Sequence, residues 1–151
     1  MLWVAVCDDE VMECCKIAGK IKVILKEMNI PCMIRQFCSG QELIQSSDNF
    51  DIIFLDIIMR DLDGMRTAHI FREKAFEKIL IFISSSREYV FEAYDVEAFQ
   101  YLLKPIDEKK LKKVLQKAVL KKKAIHRNLL LSAKKDKKRN CLRFSVFAGA
   151  C

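Results

Sequence analysis

Five polar side chains directly follow apolar runs, where a charged group is costly unless it is paired. Asp8 and Asp9 end the run MLWVAVC, and Asp56 stands inside FDIIFLDIIM after four large apolar residues. Ser84 closes KILIFIS, and Lys104 follows FQYLL. Carboxylates, a hydroxyl and an ammonium suit the binding of a hard cation and a phosphoryl group. That chemistry requires a fold that brings the five side chains together.

Three neighbouring carboxylates need a positive partner. At about 4 Å and an effective dielectric near 20, each pair repels by roughly 4 kcal/mol, so a cation must join or one acid must hold a proton. Oxygen ligands without His or Cys favour Mg²⁺. An aspartate beside Mg²⁺ can be the nucleophile in phosphoryl transfer and form an aspartyl-phosphate, with Lys104 as a point charge and Ser84 as a donor to the phosphoryl oxygens.

Alternating strands and helices would position these residues. Periodicity predicts strands in MLWVAV, CMIRQF, DIIFLD, KILIFIS and FQYLL, the third running from Ile52 to Leu55 with Asp56 just past its end. Ser39 is the predicted N-cap of a short helix over GQELIQS, and REYVFEAYDVEA is predicted to be helical. Three further helices are indicated by apolar stripes at Ile17, Ala18, Ile21, Ile24, Leu25 and Met28, at Ala68, Phe71 and Ala75, and at Leu111, Val114, Leu115, Ala118 and Val119.

Five βα units in a row predict an α/β fold with a doubly wound, five-stranded parallel sheet and helices on both faces. Ligands bind such sheets at the carboxyl ends of the strands, which is where the five polar residues fall. The sequence contains neither GxxxxGK[ST] nor GxGxxG. It is therefore expected to receive a phosphoryl group rather than to bind a nucleotide.

Composition divides the chain into an acidic body and a basic tail. Residues 1–108 hold 12 Lys/Arg against 19 Asp/Glu, whereas residues 109–151 hold 15 against 1. The negative charge of the body disfavours wrapping of nucleic acid, whereas the positive charge of the tail leaves a contact with nucleic acid open. No apolar run reaches the roughly 18 residues of a membrane span, so a cytoplasmic protein is expected. The seven cysteines form no CxxC pair and are expected to be reduced, with Cys7 beside Asp8 the one of interest.

Four segments resemble the signature of a bacterial response-regulator receiver domain, which is CheY-like: VAVCDDE, FDIIFLDIIMRDLDGM, ILIFISSS and YLLKP. The resemblance covers about residues 1–122 and implies a flavodoxin-like strand order of 2-1-3-4-5. It also implies a phosphoacceptor that is not a turnover enzyme. The phosphoryl donor would be a phosphohistidine on a sensor histidine kinase.

The resemblance assigns a role to each polar residue. Asp56 would be the phosphoacceptor, and Mg²⁺ would be bound by Asp8, Asp9, Asp56 and the backbone carbonyl of Ile58. Lys104 would contact the phosphate and precede a cis bond to Pro105. Ser84 and Tyr101 would be the switch residues, through which phosphorylation changes the surface of the fourth helix, fifth strand and fifth helix. A homodimer could form through that surface.

REYVFEAYDVEAFQYLLKP most resembles receivers whose output is a LytTR-type DNA-binding domain. Residues 123–151 would then be a basic linker and the truncated first strand of that domain, and DNA binding would require a complete output domain. A stand-alone receiver acting in a phosphorelay or as a partner-binding module is the alternative. A phosphohydrolase like the haloacid dehalogenases is disfavoured, because its nucleophile usually has a second Asp two residues on, where this chain has Ile58.

Two positions depart from the receiver pattern. Arg60 stands where proline is usual and would place a positive charge close to the phosphoryl site. Ile58 is an apolar neighbour of the acceptor and would hinder an attacking water, which predicts slow loss of the phosphoryl group. His69, His126, Asp51, Asp61 and Asp63 are expected to be structural or surface residues.

Overall fold

The computed structural model describes residues 1–61, 63–74 and 77–147, with side chains as far as Lys135. Strands and helices alternate along the chain as the periodicity predicts. The elements are β1 Leu2–Cys7, α1 Val11–Glu27, β2 Cys32–Phe37, α2 Gly40–Gln45, β3 Ile52–Asp56, α3 Gly64–Lys74, β4 Ile79–Ser84, α4 Val90–Asp95, β5 Gln100–Leu103 and α5 Glu108–Phe147.

The strands form one parallel sheet in the order β2-β1-β3-β4-β5, which confirms the predicted doubly wound order. Every residue of β3 and of β4 is buried. Continuous apolar runs such as IIFL and ILIFI are required there because central strands of such a sheet are covered on both faces. Since all five strands are parallel, their carboxyl ends lie at one edge of the sheet.

The helices follow the predicted apolar stripes. Ile17, Ile21 and Leu25 of α1 are buried, as are all five residues of the α5 stripe. Ser39 caps α2 as expected, since its Oγ accepts a hydrogen bond from the Glu42 N–H at 3.2 Å. In α3 Ala68 is fully buried and Phe71 packs against the core, whereas Ala75 lies outside the described residues.

Three elements differ from the sequence prediction. The strand β3 includes Asp56, because its Cα pairs with Ile83 of β4. The helix α4 spans only six residues. At its start the Val90 N–H donates to the Arg87 carbonyl at 3.3 Å, and after it Glu97 has a positive φ of 51°. An opening strand beyond residue 122 is wrong, because α5 continues to Phe147 through a segment without Gly or Pro that is rich in Lys and Leu. The domain division at residue 122 stays a prediction.

The chain divides into two compact units. Met1–Ala118 contains all five strands, and Val119–Cys151 is helical as far as Phe147. Within the described part of the chain, no helix combines the length and apolarity needed to span a membrane.

Candidate functional site

The carboxyl edge of the sheet brings three aspartates together. Asp8 and Asp9 follow β1, which pairs with β3 through Cys7 and Leu55, and Asp56 is the next residue of β3. One carboxylate oxygen from each aspartate lies within 4.8 Å of the other two. Asp8 is 1% exposed and Asp56 is 5% exposed, so two of the three charges are almost completely removed from water.

Lys104 reaches the aspartates from the far side of β4. Its Nζ lies 2.8 Å from Asp8 Oδ2 and 3.4 Å from Asp56 Oδ2. Its backbone N–H donates to the Ser84 carbonyl at 2.9 Å, which fixes the chain where β5 ends. The peptide bond from Lys104 to Pro105 is cis, as expected. The ammonium therefore bridges two carboxylates that would otherwise repel each other across the β1–β3 pair.

Each aspartate also accepts one backbone hydrogen bond. Asp8 Oδ1 accepts from the Glu10 N–H at 2.9 Å, and Asp56 Oδ1 accepts from the Ile58 N–H at 3.3 Å. Asp9 Oδ2 accepts from the Arg60 N–H at 3.1 Å. These bonds orient the carboxylates, yet among the side chains that the structure describes the three acids share only one closely bound ammonium.

Burial and charge set the protonation of the site. Burial raises the pKa of Asp56 to about 6, with the charge of Asp8 adding to the effect and that of Lys104 opposing it. For Lys104, burial alone would lower the pKa, but the hydrogen bond to Asp8 and the charge of Asp56 outweigh it and raise the pKa. Lys104 is therefore a permanent cation, whereas the Asp56 carboxylate is costly without another positive charge.

Ser84 and Tyr101 lie beside this cluster on β4 and β5. Ser84 is fully buried, and its Oγ accepts from the Ser86 N–H at 3.2 Å. The Tyr101 hydroxyl donates to the Ser86 carbonyl at 2.6 Å, and its ring centre is 6.3 Å from that of Phe82. Burial raises the pKa of Tyr101, and Ser84 partly offsets the rise. Both side chains thus bond to the same loop residue after β4.

The sequence profile of the response regulator receiver domain matches residues 4–116, which include all of these residues. The chain belongs to the response regulator receiver family. Receivers of this family are components of two-component systems and are generally not turnover enzymes. The family typically binds Mg²⁺ at an acidic pocket.

Known relatives of this receiver include transcriptional regulators. It is 32% identical over 96 residues to the transcriptional regulatory protein YpdB of Escherichia coli K12, covering 62% of this chain and 39% of YpdB. It is 28% identical over 119 residues to the sensory transduction protein LytT of Bacillus anthracis, covering 78% of this chain and 47% of LytT. The chain therefore spans less than half of either relative, and both support the LytTR-type resemblance.

The fold of this receiver also matches a solved structure. The crystal structure of the response regulatory domain of protein mrkE from Klebsiella pneumoniae superposes with a TM-score of 0.73 and 27% identity. The match covers 82% of this chain and 99% of the mrkE domain. The five-stranded order 2-1-3-4-5 is thus the receiver arrangement.

The acidic cluster of this receiver fits a divalent cation. Its donors are carboxylate oxygens, which Mg²⁺ prefers. Among the described residues, three carboxylates face one closely bound ammonium, which leaves a negative excess that a divalent ion would neutralise. We conclude that Asp8, Asp9 and Asp56 are suited to hold the ion that the family binds.

One residue that matters for the site was not recognised from the sequence. Gly64 begins α3 directly behind Asp56, and its N–H donates to the Ile57 carbonyl at 2.9 Å. A Cβ at this position would lie 2.1 Å from the Asp56 carbonyl oxygen and 2.7 Å from the Ile57 Cα. Only glycine permits this contact between backbones. The glycine after DLD was a signal for a loop, but not for contact with Asp56.

The remaining candidates are structural. Cys7 is buried, and burial strongly raises the pKa of its thiol, so it is neutral and unsuited to act as a nucleophile. Asp51 Oδ2 accepts from the Trp3 N–H at 2.9 Å, which joins the starts of β3 and β1. Asp63 Oδ1 accepts from the Arg66 N–H at 2.7 Å in the first turn of α3. His69 is exposed, as is His126 on α5.

Proposed function

We propose that Asp56 accepts a phosphoryl group from a phosphohistidine of a sensor histidine kinase. One observation carries the proposal: Asp8, Asp9 and Asp56 place carboxylate oxygens within 4.8 Å of one another, with Lys104 Nζ in contact with two of the three acids. In the transfer, an Asp56 oxygen forms a bond to phosphorus as the bond from phosphorus to the histidine nitrogen breaks. The phosphoryl group ends on the carboxylate, and the histidine is regenerated.

In this proposal Asp8, Asp9, Asp56 and the Ile58 carbonyl hold Mg²⁺. When bound, the ion neutralises charge on the phosphoryl oxygens. Lys104 lies 3.4 Å from Asp56 Oδ2 and 2.8 Å from Asp8 Oδ2, so it can contact a phosphoryl oxygen on Asp56 without leaving the site. Burial excludes most water from the Asp56 carboxylate, which strengthens these electrostatic contacts.

Ser84 and Tyr101 are the proposed switch. Ser84 Oγ accepts from the Ser86 N–H, and Tyr101 bonds to the Ser86 carbonyl. If Ser84 moves toward Asp56 to donate its hydroxyl hydrogen to a phosphoryl oxygen, it leaves the Ser86 N–H, and the loop whose Ser86 carbonyl holds the Tyr101 hydroxyl is released. This change would reach the surface formed by α4, β5 and α5, through which a partner or a second copy would bind.

The proposed output is control of transcription in the cytoplasm, where response regulators generally act. Its support is the similarity to YpdB, which is a transcriptional regulatory protein. DNA binding would require a complete output domain. The alternative is a receiver that acts in a phosphorelay or binds partners without DNA.

The deciding experiment measures intact mass after incubation with a small phosphodonor, with and without Mg²⁺. We expect one phosphoryl adduct in the parent, none in Asp56→Asn, and a strong loss without Mg²⁺. Asp51→Asn is the matched control, because Asp51 directly precedes the same strand but bonds to the Trp3 backbone. A Mg²⁺-dependent adduct that persists in Asp56→Asn would contradict the proposed acceptor.

A further inference from the structure

Arg60 contacts one of the three acids with both its backbone and its side chain. Its N–H donates to Asp9 Oδ2 at 3.1 Å, and its Nε lies 3.8 Å from the same oxygen. The Arg60 side chain is 92% exposed, whereas that of Asp9 is 20% exposed. Asp9 is therefore bound by a residue that lies 51 positions away in the sequence, in the loop after β3.

We infer that Arg60 is a positioning residue that weakens the affinity of the acidic site for divalent cations and strengthens its attraction for anionic phosphodonors. The inference rests on the proposed function, because the cation and the donor are those of the phosphoacceptor site. One exposed charge would thus lower the affinity for a cation and raise the rate of reaction with an anionic phosphodonor. A residue with a purely structural role would not produce this pair of effects.

The backbone and the guanidinium of Arg60 contribute separately. Every residue except proline can supply the N–H that orients Asp9 Oδ2. The guanidinium supplies a positive charge that competes with an arriving cation for that same oxygen. Gln at position 60 would keep the N–H and remove the charge, whereas Pro would remove both.

Exposure limits the size of the effect. A charge in water is screened and its side chain is mobile, so an ion pair such as Arg60–Asp9 is weak. The Arg60 charge repels a bound divalent cation twice as strongly as it would a monovalent one. We therefore expect removal of this charge to tighten Mg²⁺ binding by about three- to tenfold at low salt. The same positive charge raises the local concentration of a small anionic phosphodonor. Removing it should slow phosphorylation by about threefold when Mg²⁺ is saturating.

The test is calorimetric titration of Mg²⁺ into the unphosphorylated full chain, for the parent, Arg60→Gln, Arg60→Lys and Arg60→Pro. We expect Arg60→Gln to bind Mg²⁺ several-fold more tightly, and Arg60→Lys to remain near the parent because it keeps the charge. The gain in Mg²⁺ affinity should be smaller for Arg60→Pro than for Arg60→Gln, because proline has no backbone N–H to orient Asp9. Lys26→Gln is the charge-matched control, since Lys26 is exposed in the last turn of α1, at the other end of that helix from the site.

Salt separates an electrostatic effect from a structural one. In about 1 M salt the Debye length falls to about 3 Å, so the difference between the parent and Arg60→Gln should largely disappear. The inference is overturned if Arg60→Gln binds Mg²⁺ no more tightly than Lys26→Gln, or if the difference persists undiminished in high salt. Phosphorylation of Arg60→Gln that is as fast as in the parent at saturating Mg²⁺ would overturn the part concerning the donor.

The two proposals fail in distinguishable ways. A parent chain that binds no Mg²⁺ and forms no adduct contradicts both the phosphoacceptor and the role of Arg60. A parent that forms the Mg²⁺-dependent adduct on Asp56, with an unchanged Mg²⁺ affinity in Arg60→Gln, contradicts the role of Arg60 alone. Equal melting temperatures of the parent and Arg60→Gln in metal-free buffer would show that the fold is intact in both.

Discussion

Both edges of the sheet carry charged side chains, but they are bound differently. At the amino edge Asp51 accepts from the Trp3 N–H, and Arg72 donates to the carbonyls of Val96, Lys78 and Glu97 at 2.7, 2.8 and 2.9 Å. These charges are bound by backbone groups that join neighbouring elements.

At the carboxyl edge the charges lie mainly against one another. Asp8 and Asp56 share Lys104, and each has one backbone donor. Asp51 and Asp56 are only five positions apart, but Asp51 directly precedes β3 and Asp56 ends it, so their position along the strand, and not their residue type, separates their roles. A buried acid whose partners are other charged side chains thus marks the functional edge.

The largest effect is expected where backbones touch behind Asp56. In Gly64→Ala the new Cβ would lie 2.1 Å from the Asp56 carbonyl oxygen, and backbone atoms cannot move aside easily. We expect a loss of about 4 kcal/mol in the free energy of unfolding, measured by urea denaturation. Gly19→Ala is the control, because a Cβ there meets nothing within 4 Å and should stabilise α1 by up to about 1 kcal/mol. Equal effects of the two substitutions would contradict the close contact.

Loss of Arg72 should affect stability at the amino edge. Arg72→Ala removes donors to three backbone carbonyls, and we expect it to cost about 3 kcal/mol of unfolding free energy. Arg72→Lys should recover little, because one ammonium cannot reproduce the planar guanidinium. Arg66→Ala, an exposed arginine on the same helix, should change stability by less than about 0.5 kcal/mol. A cost for Arg72→Ala as small as that for Arg66→Ala would remove the contrast between the edges.

At the carboxyl edge, removal of a charge should stabilise the metal-free fold. Raising the pKa of Asp56 from 3.8 to about 6 means that the folded state prefers the protonated acid. The parent therefore loses stability as pH rises from about 4 to about 6, by roughly 3 kcal/mol in all. Asp56→Asn has no such loss. Its free energy of unfolding should therefore equal that of the parent at about pH 4 and exceed it by about 2 to 3 kcal/mol above about pH 7.

Urea denaturation in chelator at several pH values measures this advantage. Asp51→Asn should instead cost about 1 kcal/mol, because it weakens the hydrogen bond to the Trp3 N–H. An advantage of Asp56→Asn that did not change with pH would show that ionisation is not its cause.

The smallest effect is expected beside the acceptor. Ile58 donates its backbone N–H to Asp56, while the residue as a whole is 48% exposed at the site. In Ile58→Asn the amide could hold the attacking water, and we expect the aspartyl-phosphate to decay about threefold faster, or under 1 kcal/mol in the barrier. Decay is followed by intact mass after removal of the phosphodonor, with Ile58→Val as the apolar control. A decay no faster than in the parent would exclude this role of Ile58.

Much of the fold follows from local patterns. Runs such as ILIFI are typical of central strands in a sheet covered on both faces, and the α1 and α5 stripes identify the buried sides of their helices. The length of α4 is overestimated from the sequence, because its exposed Phe91 and Tyr94 resemble the apolar stripe of a longer helix. The helical continuation of α5 was missed because the resemblance to a longer protein suggested a strand where local propensity favoured a helix.

The sequence by itself determined which residues end the strands, because apolar runs and the polar residues after them are local properties. It therefore determined that Asp8, Asp9, Asp56, Ser84 and Lys104 lie at one edge of a parallel sheet. Only the tertiary structure decided which of these charges touch, since Lys104 contacts Asp8 across 96 positions. It also decided that the Arg60 N–H binds Asp9 and that Gly64 touches the Asp56 backbone. Such contacts depend on the path of loops, which side-chain periodicity does not specify.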